Sequence, residues 1–169
     1  TRDSDKPVVQ LMGSGSILRE VIAAADILKD DYGVDSDIWS VTSFNEVRKD
    51  GYEVSRRNRL KPDEPTKTPY ITGLLKDRKG PAVAATDYVR AFADQVREFV
   101  PQDEYIVLGT DGFGRSDTRE NLRRFFEVDR YQVAWAALVG LNREGKFDDG
   151  KLAKARSALN IDPDKPLPT

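Results

Sequence analysis

The chain has 169 residues, enough for one domain with a real hydrophobic core and no need of a disulfide or metal staple. Its 27 basic and 29 acidic residues leave a formal charge of −2, which offers no electrostatic reason to expect nucleic acid or an anionic membrane as a partner. It contains no Cys and no His, so a disulfide framework, a thiolate metal site, a Cys nucleophile, a Ser-His-Asp hydrolase and a His-ligated zinc are all excluded within this chain.

Residues 1–7 lack the apolar core of a signal peptide and read as a linker. Residues 8–11 are apolar and end at Gly13-Ser14-Gly15-Ser16, after which Ile17, Val21, Ala25, Leu28 and Tyr32 recur at helical spacing until Gly33. Residues 37–41 read as a strand ending at Thr42-Ser43. Residues 44–49 read as a short helix closed by Asp50-Gly51. The Arg-, Lys- and Pro-rich stretch 52–68 reads as a long connection with about one helical turn, and 69–76 as a short helix. A third strand, 82–85, ends at Thr86-Asp87. Val89, Phe92, Ala93, Val96 and Phe99 predict one long amphipathic helix over 88–100, stopped by Pro101.

A fourth strand, 105–108, runs into Gly109-Thr110-Asp111-Gly112. Asp117-x-x-Glu120 has the spacing of a capping box for a helix over 118–126, and Asp129-x-x-Gln132 for another carrying Val133, Ala134, Ala137, Leu138 and Leu141. A last helix covers 150–159, and the Pro-rich tail 162–169 reads as peripheral. No apolar run reaches about 18 residues, so no membrane span is expected. The absence of Cys suits a reducing cytoplasm. Strands alternating with helices predict a single α/β domain over 1–169, a three-layer α/β/α sandwich with a mostly parallel or mixed sheet.

Chemistry in such a sheet sits outside the carboxyl ends of its strands. The candidate ends are Ser14 and Ser16, Thr42 and Ser43, Asp87, and Asp111. Each is also what an ordinary strand-to-helix turn looks like, because Ser, Thr and Asp are good N-caps. Gly13-Ser14-Gly15-Ser16 is neither a G-x-G-x-x-G nor a Walker loop, and a tight turn explains it. The densest cluster is Thr110 to Asp117, with Asp111, Phe113, Arg115 and Asp117. Its arginine can hold a carboxylate or phosphate through a planar fork. Equally, the loop can pair with itself, Arg115 on Asp111 and Asp117 capping the next helix. Arg56, Arg57, Arg59 and Lys61 read as a solvated or interdomain surface.

Four stretches carry a family likeness: Val9 to Arg19, Ser40 to Phe44, Thr86 through Pro101, and Val107 through Asp129 with its Thr-Asp-Gly-Phe-Gly-Arg-Ser-Asp run. In this order and spacing the chain resembles the C-terminal region of the bacterial homodimeric pyruvate dehydrogenase first component, and more broadly the transketolase C-terminal domain. The resemblance implies an enzyme that decarboxylates pyruvate on thiamine diphosphate and acetylates the lipoyl group of a dihydrolipoyl acetyltransferase component. It implies that thiamine diphosphate and magnesium bind in upstream domains, outside this chain. The partners implied are those upstream domains and a second subunit of a cytoplasmic homodimer. No catalytic, cofactor-binding or metal-binding residue carries over. Ser14, Ser16, Thr42, Ser43, Asp87, Asp111, Phe113, Arg115 and Asp117 are candidates for an interface or for the active-site approach. A free-standing α/β small-molecule-binding module is the alternative, with a cleft near Gly13, Thr42, Asp87 and Asp111. Transketolase itself or another 2-oxo-acid dehydrogenase is a third.

Overall fold

A computed structural model describes residues 6–112 and 114–168. Four strands, β1 (Val8–Gly13), β2 (Asp35–Ser40), β3 (Ala82–Ala85) and β4 (Tyr105–Leu108), form one sheet in the order β2-β1-β3-β4. Every pairing is parallel, so the mixed alternative is not realised among the described residues. Alternation along the strands feeds two cores. Val9, Leu11, Val83 and Ala85 face one side, and Met12, Ala82, Ala84 and Tyr105 the other.

The first core is closed by α1 (Leu18–Tyr32), which buries Val21, Ala24 and Leu28 and ends on Gly33 in the left-handed region. The second is closed by α2 (Phe44–Leu60), α3 (Tyr70–Leu75) and α4 (Arg90–Asp94) with the segment after it, through Phe44, Ile71, Leu75 and Ala93 on the helices and Val96 and Phe99 beyond α4. Three helices follow β4: α5 (Arg119–Phe125), α6 (Arg130–Arg143) and α7 (Asp149–Ala158). Helix α6 returns to the first core with Val133, Ala134, Ala137, Leu138 and Leu141, all buried. The predicted three-layer α/β fold is therefore present.

Gln10, buried in β1, is fully engaged away from the strand ends. It accepts from Trp39 Nε1 (2.9 Å) and donates to Lys79 O (3.0 Å) and Asp37 Oδ2 (3.1 Å). A buried amide survives only when its donors and acceptor are met.

Two elements differ from the sequence reading. Helix α2 does not stop at Gly51; it runs on to Leu60. Gly51 is there for space, because a Cβ at that position would overlap the Phe99 ring. The charge-rich half of α2 has no apolar stripe, which is why it reads as a connection. It is held instead by Arg57 on Glu64 (2.5 Å) and by Asn58, whose amide bonds both the N–H and the C=O of Lys67 (3.0 and 2.8 Å).

The long helix expected over 88–100 is broken into α4 and a 3-10 turn at Arg97–Phe99. The Tyr105 hydroxyl takes the Ala93 carbonyl at 2.8 Å, and the Tyr88 carbonyl accepts from Thr110 N at 2.9 Å. Both acceptors are thus spent outside a continuous helical ladder. Burial pushes the Tyr105 phenol far above its ordinary value, so it remains a donor.

The capping box at Asp117 is also shifted by one residue. Thr118 is the N-cap of α5, accepting from Asn121 N (3.3 Å), while Asp117 accepts from Thr118 N (2.7 Å) and Asn121 Nδ2 (2.8 Å). Those bonds, Asn121 first, lower the Asp117 pKa. At α6 the expected Asp129 cap is present, bonded to Gln132 N at 2.9 Å.

Candidate functional site at the strand ends

The strand order reverses between β1 and β3, and the crevice outside their carboxyl ends is where open parallel sheets place ligands. Here Ser14 and Thr86 leave adjacent strands and bond to each other, Ser14 Oγ donating to Thr86 Oγ1 at 2.9 Å. Thr86 Oγ1 also accepts from Tyr88 N (3.2 Å), so both hydroxyls are used in joining the loops. Gly15, at φ 54°, lies against the Asp87 carboxylate, which accepts from Ser16 Oγ at 3.2 Å. Gly15 and Asp87 make a ridge with a cleft on each side.

One cleft, of about 390 Å³, is bounded by Ser14, Thr42, Ser43, Phe44, Tyr88 and Phe92. Ser43 Oγ caps α2 by accepting from Glu46 N (3.3 Å). The other, of about 310 Å³, lies under α5 and takes Ser16, Asp87 and Arg115 together with Arg119, Leu122 and Arg123. The nine candidates are therefore divided. Ser14, Thr42 and Ser43 stand on one side, and Ser16, Asp87 and Arg115 on the other. Asp111 lines neither cleft, Asp117 accepts from Thr118 N and Asn121 Nδ2 just before α5, and Phe113 lies outside the described residues.

Of the two alternatives for this loop, the Arg115–Asp111 pair is not formed. Asp111 accepts from Arg90 N (2.9 Å) and Arg90 Nε (2.6 Å), so it caps α4. Arg115 instead places its guanidinium 4.0 Å from the centre of the Phe125 ring, a cation–π contact. The reason is topological: α4 starts beside the β4 loop, a proximity invisible in the local spacing.

Glu20 was not anticipated. It is 4% exposed on the core face of α1 and receives Arg123 Nη1 (2.8 Å), Arg130 N (3.1 Å), Arg130 Nε (3.0 Å) and Arg130 Nη2 (3.2 Å). Burial alone would raise its pKa. The hydrogen bonds and charges of Arg130, with the charge of Arg123, outweigh this and hold it below its ordinary value. This pair of ion pairs fastens the α5–α6 junction, and so the wall of the second cleft, to the start of α1. A lone Glu between Ile17 and Val21 on an apolar face was the available signal.

Among the described residues no group of three or more Asp or Glu side chains is placed to hold a metal ion, and no helix is long and apolar enough to cross a membrane.

Residues 1–129 match the family model of the transketolase-like TK C-terminal domain. The chain belongs to that family. The transketolase-like C-terminal domain described here is 56% identical over 166 residues to the pyruvate dehydrogenase E1 component of Cupriavidus necator, covering 98% of this chain and 18% of that protein. It is 54% identical over 168 residues to the one from Escherichia coli, covering 99% of this chain and 19% of that protein. The chain thus spans less than a fifth of the length of these relatives. Among solved structures, a split-gene transketolase described as an inactive beta4 tetramer superposes with a TM-score of 0.53 at 16% identity, over 81% of this chain and 40% of its own. That likeness speaks to the fold alone. The family match ends at Asp129, the cap of α6, although α6 completes the first core.

Proposed function

We propose that this chain is the C-terminal domain of a longer, cytoplasmic pyruvate dehydrogenase E1 polypeptide. That polypeptide decarboxylates pyruvate on thiamine diphosphate and acetylates the lipoyl group of an acetyltransferase component. The observation that carries this reading is identity above one half, over nearly the whole chain, to proteins of that name. The same relatives favour pyruvate dehydrogenase over transketolase or another 2-oxo-acid dehydrogenase. Thiamine diphosphate and magnesium are held by domains outside this chain.

In this reading the domain works by assembly. Its strand-end edge packs against upstream domains and a second subunit, forming one wall of the active-site approach. The aromatic group beside the Ser14 cleft supports this role. Tyr88 is 67% exposed, Val89 40% and Phe92 37%, and the Tyr88 and Phe92 rings meet edge to face at 5.9 Å. Clustered exposed apolar residues mark interaction surfaces.

The test has two parts. Calorimetry with thiamine diphosphate and magnesium compares this chain with a polypeptide of the relatives' length that carries it; binding by the longer one alone is expected. Tight binding by the 169 residues on their own would overturn the assignment. Tyr88→Ser with Phe92→Ser in the longer polypeptide is then expected to weaken its dimer in sedimentation without changing the fold of this domain.

A further inference from the structure

The cleft under α5 has more positive charge than its folding requires. Three arginines and one aspartate line it. Arg123 is committed to Glu20, with further bonds from Nη2 to Ser16 O and Oγ (3.4 Å each). The Asp87 carboxylate is turned to the Ser16 hydroxyl and the Gly15 backbone. Arg115 and Arg119 remain. Among the described residues neither has a carboxylate at ion-pair distance; both are exposed, and the Arg115 guanidinium rests against the Phe125 ring.

The floor of the same cleft is apolar. Ile17 and Val128 are 1% exposed, and Leu122 and Phe126 are partly buried. A volume of about 310 Å³ is at the small end for ligand pockets. The location is the switch-point edge of the sheet. Guanidinium groups recognise planar and tetrahedral oxyanions through paired N–H donors.

We propose that this cleft binds a small organic anion, a carboxylate or phosphate carried on a compact apolar body. Arg115 and Arg119 take the anionic head, and Ile17, Leu122 and Phe126 take the body. The proposal stands apart from the assembly reading, and either can fail without the other.

Phenyl phosphate and benzoate are the probes, titrated into the isotopically labelled chain and followed by NMR. Inorganic phosphate and phenol separate the two halves of the recognition. Both probes are expected to give saturable shifts confined to the α5 cleft in the millimolar range, with phosphate and phenol each weaker. Arg115→Gln with Arg119→Gln is expected to weaken phenyl phosphate about tenfold or more, the scale of lost charge-assisted hydrogen bonds, while resonances of the sheet stay in place. The proposal is overturned by an absence of saturable shifts, or by shifts mapping elsewhere. It is equally overturned by inorganic phosphate or phenol binding as tightly as phenyl phosphate, or by an unchanged affinity in the double variant.

Discussion

Glu20 shows how one buried charge can be kept ionised. Its carboxylate meets four donors from two arginines, so burial does not neutralise it. Because its folded pKa lies below its ordinary one, the folded state binds this proton less readily than the unfolded state does. The resulting stability is fully present above the unfolded value of about 4.3 and is lost as pH falls through the lower folded value. Glu20→Gln leaves two arginines short of an acceptor and is expected to cost about 2 kcal/mol near neutrality. Urea denaturation of both proteins across acid pH checks this. The gap between them should narrow on acidification, and a gap constant with pH would assign the effect to packing. Asp129 has the opposite sign. Burial raises its pKa against the bond from Gln132 N, so its ionised form costs stability as pH rises.

At the level of elements, short α4 depends on a residue outside it. Asp111 accepts the Arg90 N–H and pairs with its guanidinium, while Thr110 holds the Tyr88 carbonyl. The ion pair is half exposed and contributes little, so the cap is the larger part. Asp111→Ala is expected to cost about 1 kcal/mol. Faster hydrogen exchange confined to the α4 amides would report it; unchanged protection would show that Asp111 does not cap the helix. Since Tyr88 and Phe92 ride on this segment, the same cap sets the geometry of the exposed aromatic group.

The whole molecule depends on its last third. Helix α6 covers Val9, Leu11 and Val83 with six buried side chains, and Glu20 ties its first residue, Arg130, back to α1. A chain cut after Asp129, where the family match ends, would expose that face of the sheet. Such a fragment is expected to lose near-UV circular dichroism and NMR dispersion, whereas a natively dispersed spectrum would show that α6 is dispensable.

Strand positions β3 and β4, the Gly33 stop, the Asp129 cap and the family likeness were all legible in the residues, because each is written in local chemistry: an apolar run, a left-handed glycine, a capping spacing. The absence of His and Cys likewise settled which side-chain chemistries this chain lacks. The length of α2 and the break after α4 were not legible. Gly51 and Ala93 answer to Phe99 and Tyr105, partners remote in sequence. Nor was the partition of the strand ends into two clefts. Ser14 meets Thr86 across 72 positions and Glu20 meets Arg130 across 110, so only strand order and helix packing decide which polar groups are spent on the fold and which face an open cleft.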